Sequence, residues 1–565
     1  MSPPTTNAAK RIAAYVAFAI VMLLPRGLIG NPDVDVWNHV WGYGWVADAL
    51  AHGRLPWHTN WLGAPRGGTL FFVDLPGAIL ALPLTWTFGA AVGFDAVLVG
   101  RVAAAGWFAH ALCEEVSAPG KHGWVAGVAY ATTPFLFCEL ANGITEVAAT
   151  GWIPATLWLA ARAFRAAPPP AAFGPRFARF GADASWVLLG AVGGACAWAN
   201  FYYALTVALL VGGWWLGSSR NVRGACIAGA VALIFAVPAF AAIRYSVSAP
   251  DALVRRSAEL NVQLMAHNAV DPRVYVTPFK FTSVDLEKLY GEPFRHTGYL
   301  RWSVLLLAGM VARRREARPW VMMAVASLVL GLGPRLWWGG DWVRLGGSVF
   351  SLPFGWLQRL VPDLAITHPL RLSIGAQAIV CVLAGWAVRD RPRWLIPAGV
   401  AVVMETLFAS NATWPIPSAP THTPAVYATM ADDPDPRAVL DLPAEVGTTM
   451  ATSRYFWFQL THRHPVPWTP DARAGSSGDA FTFQIFPHPM GRPGERMAFN
   501  IRPLTSAAIA HLRTVYGWVV VHPDLEKRIG AEGVFEAAMV PAFGAATGSD
   551  PGDEAGVDAV VWWRL

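Results

Sequence analysis

The chain has 565 residues, of which 54% are hydrophobic and only 14% charged, with a formal net charge of +6. Its mean hydropathy is +0.38. Soluble domains carry roughly a quarter charged residues, so an ordinary soluble fold, a disordered chain and a disulfide scaffold are excluded. What remains is a polytopic membrane protein, for which counting domains by length does not apply.

The first apolar run, Arg11 to Ile29, is about one membrane span long. No small-residue cleavage site precedes Gly30-Asn31-Pro32, so it reads as an uncleaved helix and not as a signal peptide. Further spans fall near 94–115, 123–141, 147–165, 183–200, 202–217, 224–243, 299–312, 319–336, 371–388 and 394–410. Lys and Arg cluster between them, at Lys10 and Arg11, Lys121, Arg162 to Arg179, Arg220 and Arg223, Arg313 to Arg318, and Arg389 to Arg393. With about eleven spans every cluster lands on one side, which is the cytoplasm by the positive-inside rule. The positive charge is thus a topology signal and no nucleic-acid partner is implied. Leu75 to Phe88 is apolar, but counting it as a span would put most later basic loops outside. It is therefore expected to lie in the outer leaflet. The five cysteines, at 113, 138, 196, 226 and 381, sit in apolar stretches without ligand spacing and read as small buried hydrophobes.

The expected fold class is a polytopic α-helical membrane domain, residues 1–410, with juxtamembrane helices in its first outward loop (30–93). An α/β domain, residues 411–565, follows on the outer, periplasmic side, and the N-terminus is cytoplasmic. In the tail, Ala438 to Leu442, Val515 to Val521 and Val557 to Arg564 read as strands. Ser506 to Arg513 and Asp524 to Ile529 read as helices.

The sharpest chemical feature is Asn31-Pro32-Asp33-Val34-Asp35, just after the first span. A Trp-rich stretch follows, Trp37 to Trp45, of the kind that favours a membrane interface. A carboxylate beside an apolar surface gains proton affinity and can serve as a general base. Alternatively, Asp33 or Asp35 caps the helix starting near Val36.

Here the sequence resembles the GT-C superfamily of membrane glycosyltransferases. That superfamily includes protein O-mannosyltransferases, aminoarabinose transferases and oligosaccharyltransferases. The likeness extends to a broad bacterial group of GT-C-like proteins. It rests on Asp35, Trp37 to Trp45, Leu55-Pro56-Trp57-His58-Thr59, Ala64-Pro65-Arg66-Gly67-Gly68 and Asp74-Leu75-Pro76-Gly77. Thr367-His368-Pro369-Leu370-Arg371 stands where the group carries Arg-x-Pro-x-Arg, with Thr367 replacing the first Arg. The tail resembles the group at Val439 to Pro443, Tyr455 to Pro467 and Tyr516 to His522.

The resemblance implies a sugar donor on a polyprenyl phosphate or diphosphate in the bacterial inner membrane. It also implies a glycan, lipid or protein acceptor on the outer face and inversion at the anomeric carbon. The implied base is Asp35 or Asp33. Arg371 and Arg101 are candidates to neutralise phosphate, with Asp74, Glu146 and His368 completing the cavity. Arg101 lies inside a span, where an ionisable group is costly; it either meets ligand or pairs with Asp95. Glu146 sits between two spans, either as a second site acid or in a helix start capped by Thr145 or Asn142. A divalent metal, Mg or Mn, on Asp33 and Asp35 is allowed but not required. The alternatives are a non-catalytic scaffold with the same fold and a lipid or solute translocator.

Overall fold

The computed structural model describes residues 4–165, 174–218, 221–255, 261–262, 264–265, 268–278, 294–360, 366–443, 453–469, 479–486, 503–528, 530–552 and 558–565. The helices that position the site are α1 (Pro4–Leu23), α2 (Val36–Ala51), α3 (Leu75–Phe88), α4 (Ala90–Ser117), α5 (Gly123–Ala131), α6 (Pro134–Asn142), α7 (Thr145–Ala148), α8 (Trp152–Arg165), α9 (Gly174–Ala199), α10 (Phe201–Ser218), α11 (Val222–Ser248), α12 (Trp302–Ala312), α13 (Arg318–Gly331), α14 (Ile374–Arg389) and α15 (Leu395–Phe408). Among the described residues, five helical stretches are long and apolar enough to cross a membrane: Ala90–Ser117, Gly123–Asn142, Phe201–Ser218, Val222–Ser248 and Pro369–Arg389.

Helix α14 is the axis of the bundle. It is apolar on every side, and all its residues from Ile374 to Val388 are buried, as expected of a helix with no polar stripe. It packs against α4, α5, α12 and α13. Helix α11 shows the inverse arrangement of a soluble helix, because its exposed side carries Leu233, Ile234 and Val237. It packs tightly on α9, where a side chain at Gly194 would strike the Ala232 carbonyl; small residues let such backbones approach.

The stretch 123–141, expected as one span, is interrupted. Helix α5 ends at Ala131 and α6 restarts at Pro134, with Thr133 capping the Leu136 N–H. Pro134 lacks the N–H that would continue the first helix and sits at the first turn of the second, where it is tolerated. Likewise 147–165 is divided into α7 and α8. The segment Leu75–Phe88 forms one 14-residue helix with the expected bounds.

After residue 411 the chain builds a four-stranded mixed sheet. Its order is Gly548–Asp550, Val560–Arg564, Tyr516–Val521, Ala438–Leu442. The last two strands pair in parallel and the others antiparallel. The three expected strands appear as Ala438–Leu442, Tyr516–Val521 and Val560–Arg564, Val557 lying outside the described residues. Gly548–Asp550 was not expected, since three short polar residues carry no alternation to read. The tail is fastened to the first loop. Leu28–Ile29 pairs with Ser418–Ala419. Trp41 donates to Gln459 Oε1 at 2.6 Å, and the Arg454 guanidinium lies 5.4 Å from the Trp37 ring centre. Four of the cysteines are buried and Cys226 is exposed; all five are free thiols.

Candidate active site

The first loop is pinned to the turn between α6 and α7. The Asn31 N–H donates to Ala141 O at 2.8 Å and the Asp35 N–H to Asn142 O at 3.2 Å. Gly143 makes this possible. It adopts φ +75°, and a Cβ there would lie 2.6 Å from that of Val36. Helix α2 starts at Val36, with Asp35 at its N-cap position making no side-chain capping bond. One turn on, His39 Nδ1 lies 3.1 Å from Thr145 Oγ1 and 3.6 Å from Glu146 Oε2.

The expected capping by Thr145 or Asn142 does not occur. Thr145 turns to His39. Asn142 clasps the backbone of Arg295, donating to its carbonyl at 2.6 Å and accepting its N–H at 2.9 Å. The N-cap of α7 is Ile144. These tertiary bonds win because both side chains are buried, and buried polar groups take the partner that packing provides. Burial raises the proton affinity of Glu146, opposed by the charges of His39 and Arg371.

Arg101 does not pair with Asp95. Its guanidinium bonds to the Asp74 carboxylate and the Thr145 carbonyl, while Asp95 accepts the Ile29 N–H at 2.9 Å. Asp74 is fully buried because it has three roles. It caps α3 through the Gly77 N–H at 3.3 Å, receives the Tyr43 hydroxyl at 2.7 Å, and neutralises Arg101. The Asp74–Arg101 pair therefore staples α3 to α4 and holds the α7 backbone.

Arg371 leads into α14 and is 8% exposed. Among the described residues its guanidinium has no hydrogen-bond acceptor; its contact is the Tyr202 ring, 5.4 Å away. The Tyr202 hydroxyl accepts the N–H groups of Thr367 and His368, each at 3.2 Å. Thr367 Oγ1 reaches His368 Nδ1 at 2.9 Å. The residue standing in place of an Arg thus anchors the turn that carries Arg371.

Two partners were missed in the sequence. Glu139, on α6, is fully buried with His296 Nδ1 3.0 Å away. His39 was passed over as part of the Trp-rich run. A carboxylate inside an apolar stretch was the available signal for Glu139; for His39 it was spacing one turn after Asp35. Glu139 Oε2, Glu146 Oε2, His296 Nε2 and Arg371 Nε are all buried without hydrogen-bond partners among the described residues. Such groups are rare in native folds.

Asp33 stands apart from this group. It forms an ion pair with Arg528 of the tail at 2.7 Å, both side chains being partly exposed. Among the described residues no three His, Cys, Asp or Glu side chains gather in a metal-binding arrangement. Of the two carboxylates Asp33 and Asp35, that of Asp33 pairs with Arg528.

No protein-family profile matches the chain, and no curated protein sequence does. Solved structures do resemble it. The oligosaccharyltransferase of Archaeoglobus fulgidus tethered with an acceptor peptide superposes with TM-score 0.54 at 11% identity. The match covers 96% of this chain and 72% of that one. The same organism's AglB in complex with an inhibitory peptide and a dolichol-phosphate gives 0.54 at 12% identity, over 99% and 74%. ArnT from Cupriavidus metallidurans bound to undecaprenyl phosphate gives 0.51 at 13% identity, over 99% and 98%. At such identities the likeness shows the fold alone: this chain is folded like the Archaeoglobus oligosaccharyltransferase and ArnT.

Proposed function

We propose that the protein is an inverting membrane glycosyltransferase. It moves a sugar from a polyprenyl-phosphate or -diphosphate carrier to an acceptor hydroxyl at the outer face of the bacterial inner membrane. The supporting observation is Arg371, a buried cation without a hydrogen-bond acceptor among the described residues, whose charge acts on Glu146. An unsaturated guanidinium in a low-dielectric site is suited to a phosphate oxygen.

Asp35 is the proposed base. It takes the acceptor proton as the acceptor oxygen bonds to the anomeric carbon. The bond from that carbon to the phosphate oxygen breaks, and the phosphate leaves with its charge held by Arg371. Glu146 and His39 position the acceptor side, and Asp74 with Arg101 keeps α3, α4 and α7 in register. The carriers named for AglB and ArnT, dolichol-phosphate and undecaprenyl phosphate, agree in class with this donor. Residues 1–410 would form the catalytic membrane domain, and 411–565 a periplasmic domain that covers the site and meets the acceptor. The basic clusters support a cytoplasmic N-terminus by the positive-inside rule.

The test is transfer of labelled sugar from membrane lipid in vesicles. Asp35→Asn and Arg371→Gln should each lose about 100-fold or more. Wild-type transfer by both variants would defeat the assignment.

A further inference from the structure

The opposite end of the bundle carries a second feature that the proposed reaction does not use. A cleft of about 750 Å³ opens where the C-terminal ends of α4, α8 and α14 meet the link between α12 and α13. Its walls bring together Arg165, Arg314 and Arg389 with Glu114, Glu115 and Glu316, over the ring of Trp386. From Arg371 to Arg389, eighteen residues at about 1.5 Å each span roughly 27 Å. That is close to the thickness of a bilayer core, so the cleft lies at the level of the headgroups on the side of the basic loops. Its volume suits a small ligand or a lipid headgroup.

Trp386 is 4% exposed, and its indole N–H has no hydrogen-bond partner among the described residues. A buried donor of this kind normally finds an acceptor. The charges at the rim are equally divided, three of each sign. Some are engaged already. Glu114 pairs with Arg11 at 2.6 Å, and Arg314 and Arg389 share Asp390 at 2.5 and 3.0 Å. Glu115 stands 3.7 Å from Arg165. Glu316 makes no ion pair or hydrogen bond among the described residues. Arg165 also donates to the Glu115 and Val116 carbonyls, and Arg389 to the Ser117 carbonyl; with five donors on each guanidinium, some remain for phosphate oxygens. A purely anionic ligand would meet three carboxylates, and a purely cationic one three guanidinium groups.

We propose that this cleft binds a headgroup carrying both a phosphate and a primary ammonium, that of phosphatidylethanolamine. The arginines and the Trp386 N–H hold the phosphate oxygens. Glu316 accepts from the ammonium. A choline headgroup has no N–H to donate, and a glycerol headgroup has no cation, so both leave Glu316 unmatched. The site stands independently of the glycosyltransferase reading, because it touches none of the proposed catalytic residues.

The test is native mass spectrometry of the full-length protein with dioctanoyl phosphatidylethanolamine, phosphatidylcholine or phosphatidylglycerol. The ethanolamine lipid should bind about ten-fold tighter than the other two. Glu316→Gln and Trp386→Phe remove no hydrogen bond seen among the described residues, so both should fold; each should weaken that adduct about five-fold. Leu233→Ala, on the exposed face of α11, should not. Millimolar phosphoethanolamine should displace the lipid, and inorganic phosphate should not. Equal binding of the three lipids, unchanged binding by both variants, or displacement by inorganic phosphate would overturn the proposal.

Discussion

The neighbourhoods of Arg301 and Arg371 hold the same residue type at similar burial, 1% and 8% exposed, and treat it oppositely. Arg301 precedes α12 and reaches into the interruption between α5 and α6. It donates to Thr132 O at 3.1 Å, Thr132 Oγ1 at 3.2 Å and Thr406 Oγ1 at 3.1 Å, and also to the Ala129 carbonyl. It thus satisfies carbonyls that α5 leaves open at its C-terminus, where a cation is favoured. Arg371 has a tyrosine ring for company and no acceptor among the described residues. Arg301 is bonded through both terminal nitrogens and only its Nε lacks a partner, whereas no nitrogen of the Arg371 guanidinium has an acceptor among the described residues; the proposed reaction uses that difference to bind the phosphate.

That contrast can be broken most directly by removing each guanidinium. Arg301→Gln should lose about 3 kcal/mol or more, because several buried oxygens lose their donors together. Thermal unfolding and size-exclusion behaviour in detergent would show it. Arg371→Gln should unfold within about 1 kcal/mol of wild type while transfer collapses. If Arg371→Gln were the one that unfolded, the contrast would be wrong.

The tail extends the comparison, for its polar clusters resemble Arg301. Asp479 accepts from Thr482 Oγ1 at 2.6 Å, Tyr516 OH at 2.8 Å and His511 Nε2 at 2.8 Å. Burial alone would raise its pKa, but these bonds outweigh it and hold the carboxyl below its ordinary range. Asp479→Asn should therefore cost about 1–3 kcal/mol at neutral pH. The stability it supplies is present above the ordinary Asp pKa and should fade as pH falls through the depressed folded value. Denaturation of variant and wild type should converge in acid.

Glu146 has the opposite sign. Its folded pKa is raised by burial, so its ionisation weakens the wild type as pH climbs from the ordinary carboxylate value through the raised one. Glu146→Gln should escape that loss and gain on wild type over the same window. A parallel fall of both proteins would place the carboxylate in water. The smallest effect belongs to Asp33. Its pair with Arg528 is partly exposed, and such pairs contribute about 0–1 kcal/mol. Asp33→Asn should leave transfer nearly intact where Asp35→Asn abolishes it, and equal losses would restore Asp33 as a base.

Much of the framework was legible in the chain. The helix Leu75–Phe88 and the strand Ala438–Leu442 appear with the bounds expected of them, because apolar runs and turn residues act locally. The residues to watch were also readable where a charge interrupted an apolar run, as at Arg101. Their partners were not. Asp95 lies nearer to Arg101 in sequence than Asp74 does, yet the fold turns α3 so that Asp74 receives the guanidinium.

Composition and spacing determined that this protein is built of apolar helices with a sheet-bearing tail, since hydrophobic periodicity is written residue by residue. Tertiary structure alone decided that His39 lies against Glu146, within reach of the charge of Arg371, while Asp33 faces the tail. Pairing between charges depends on which helices cross, and on how much water remains where they do.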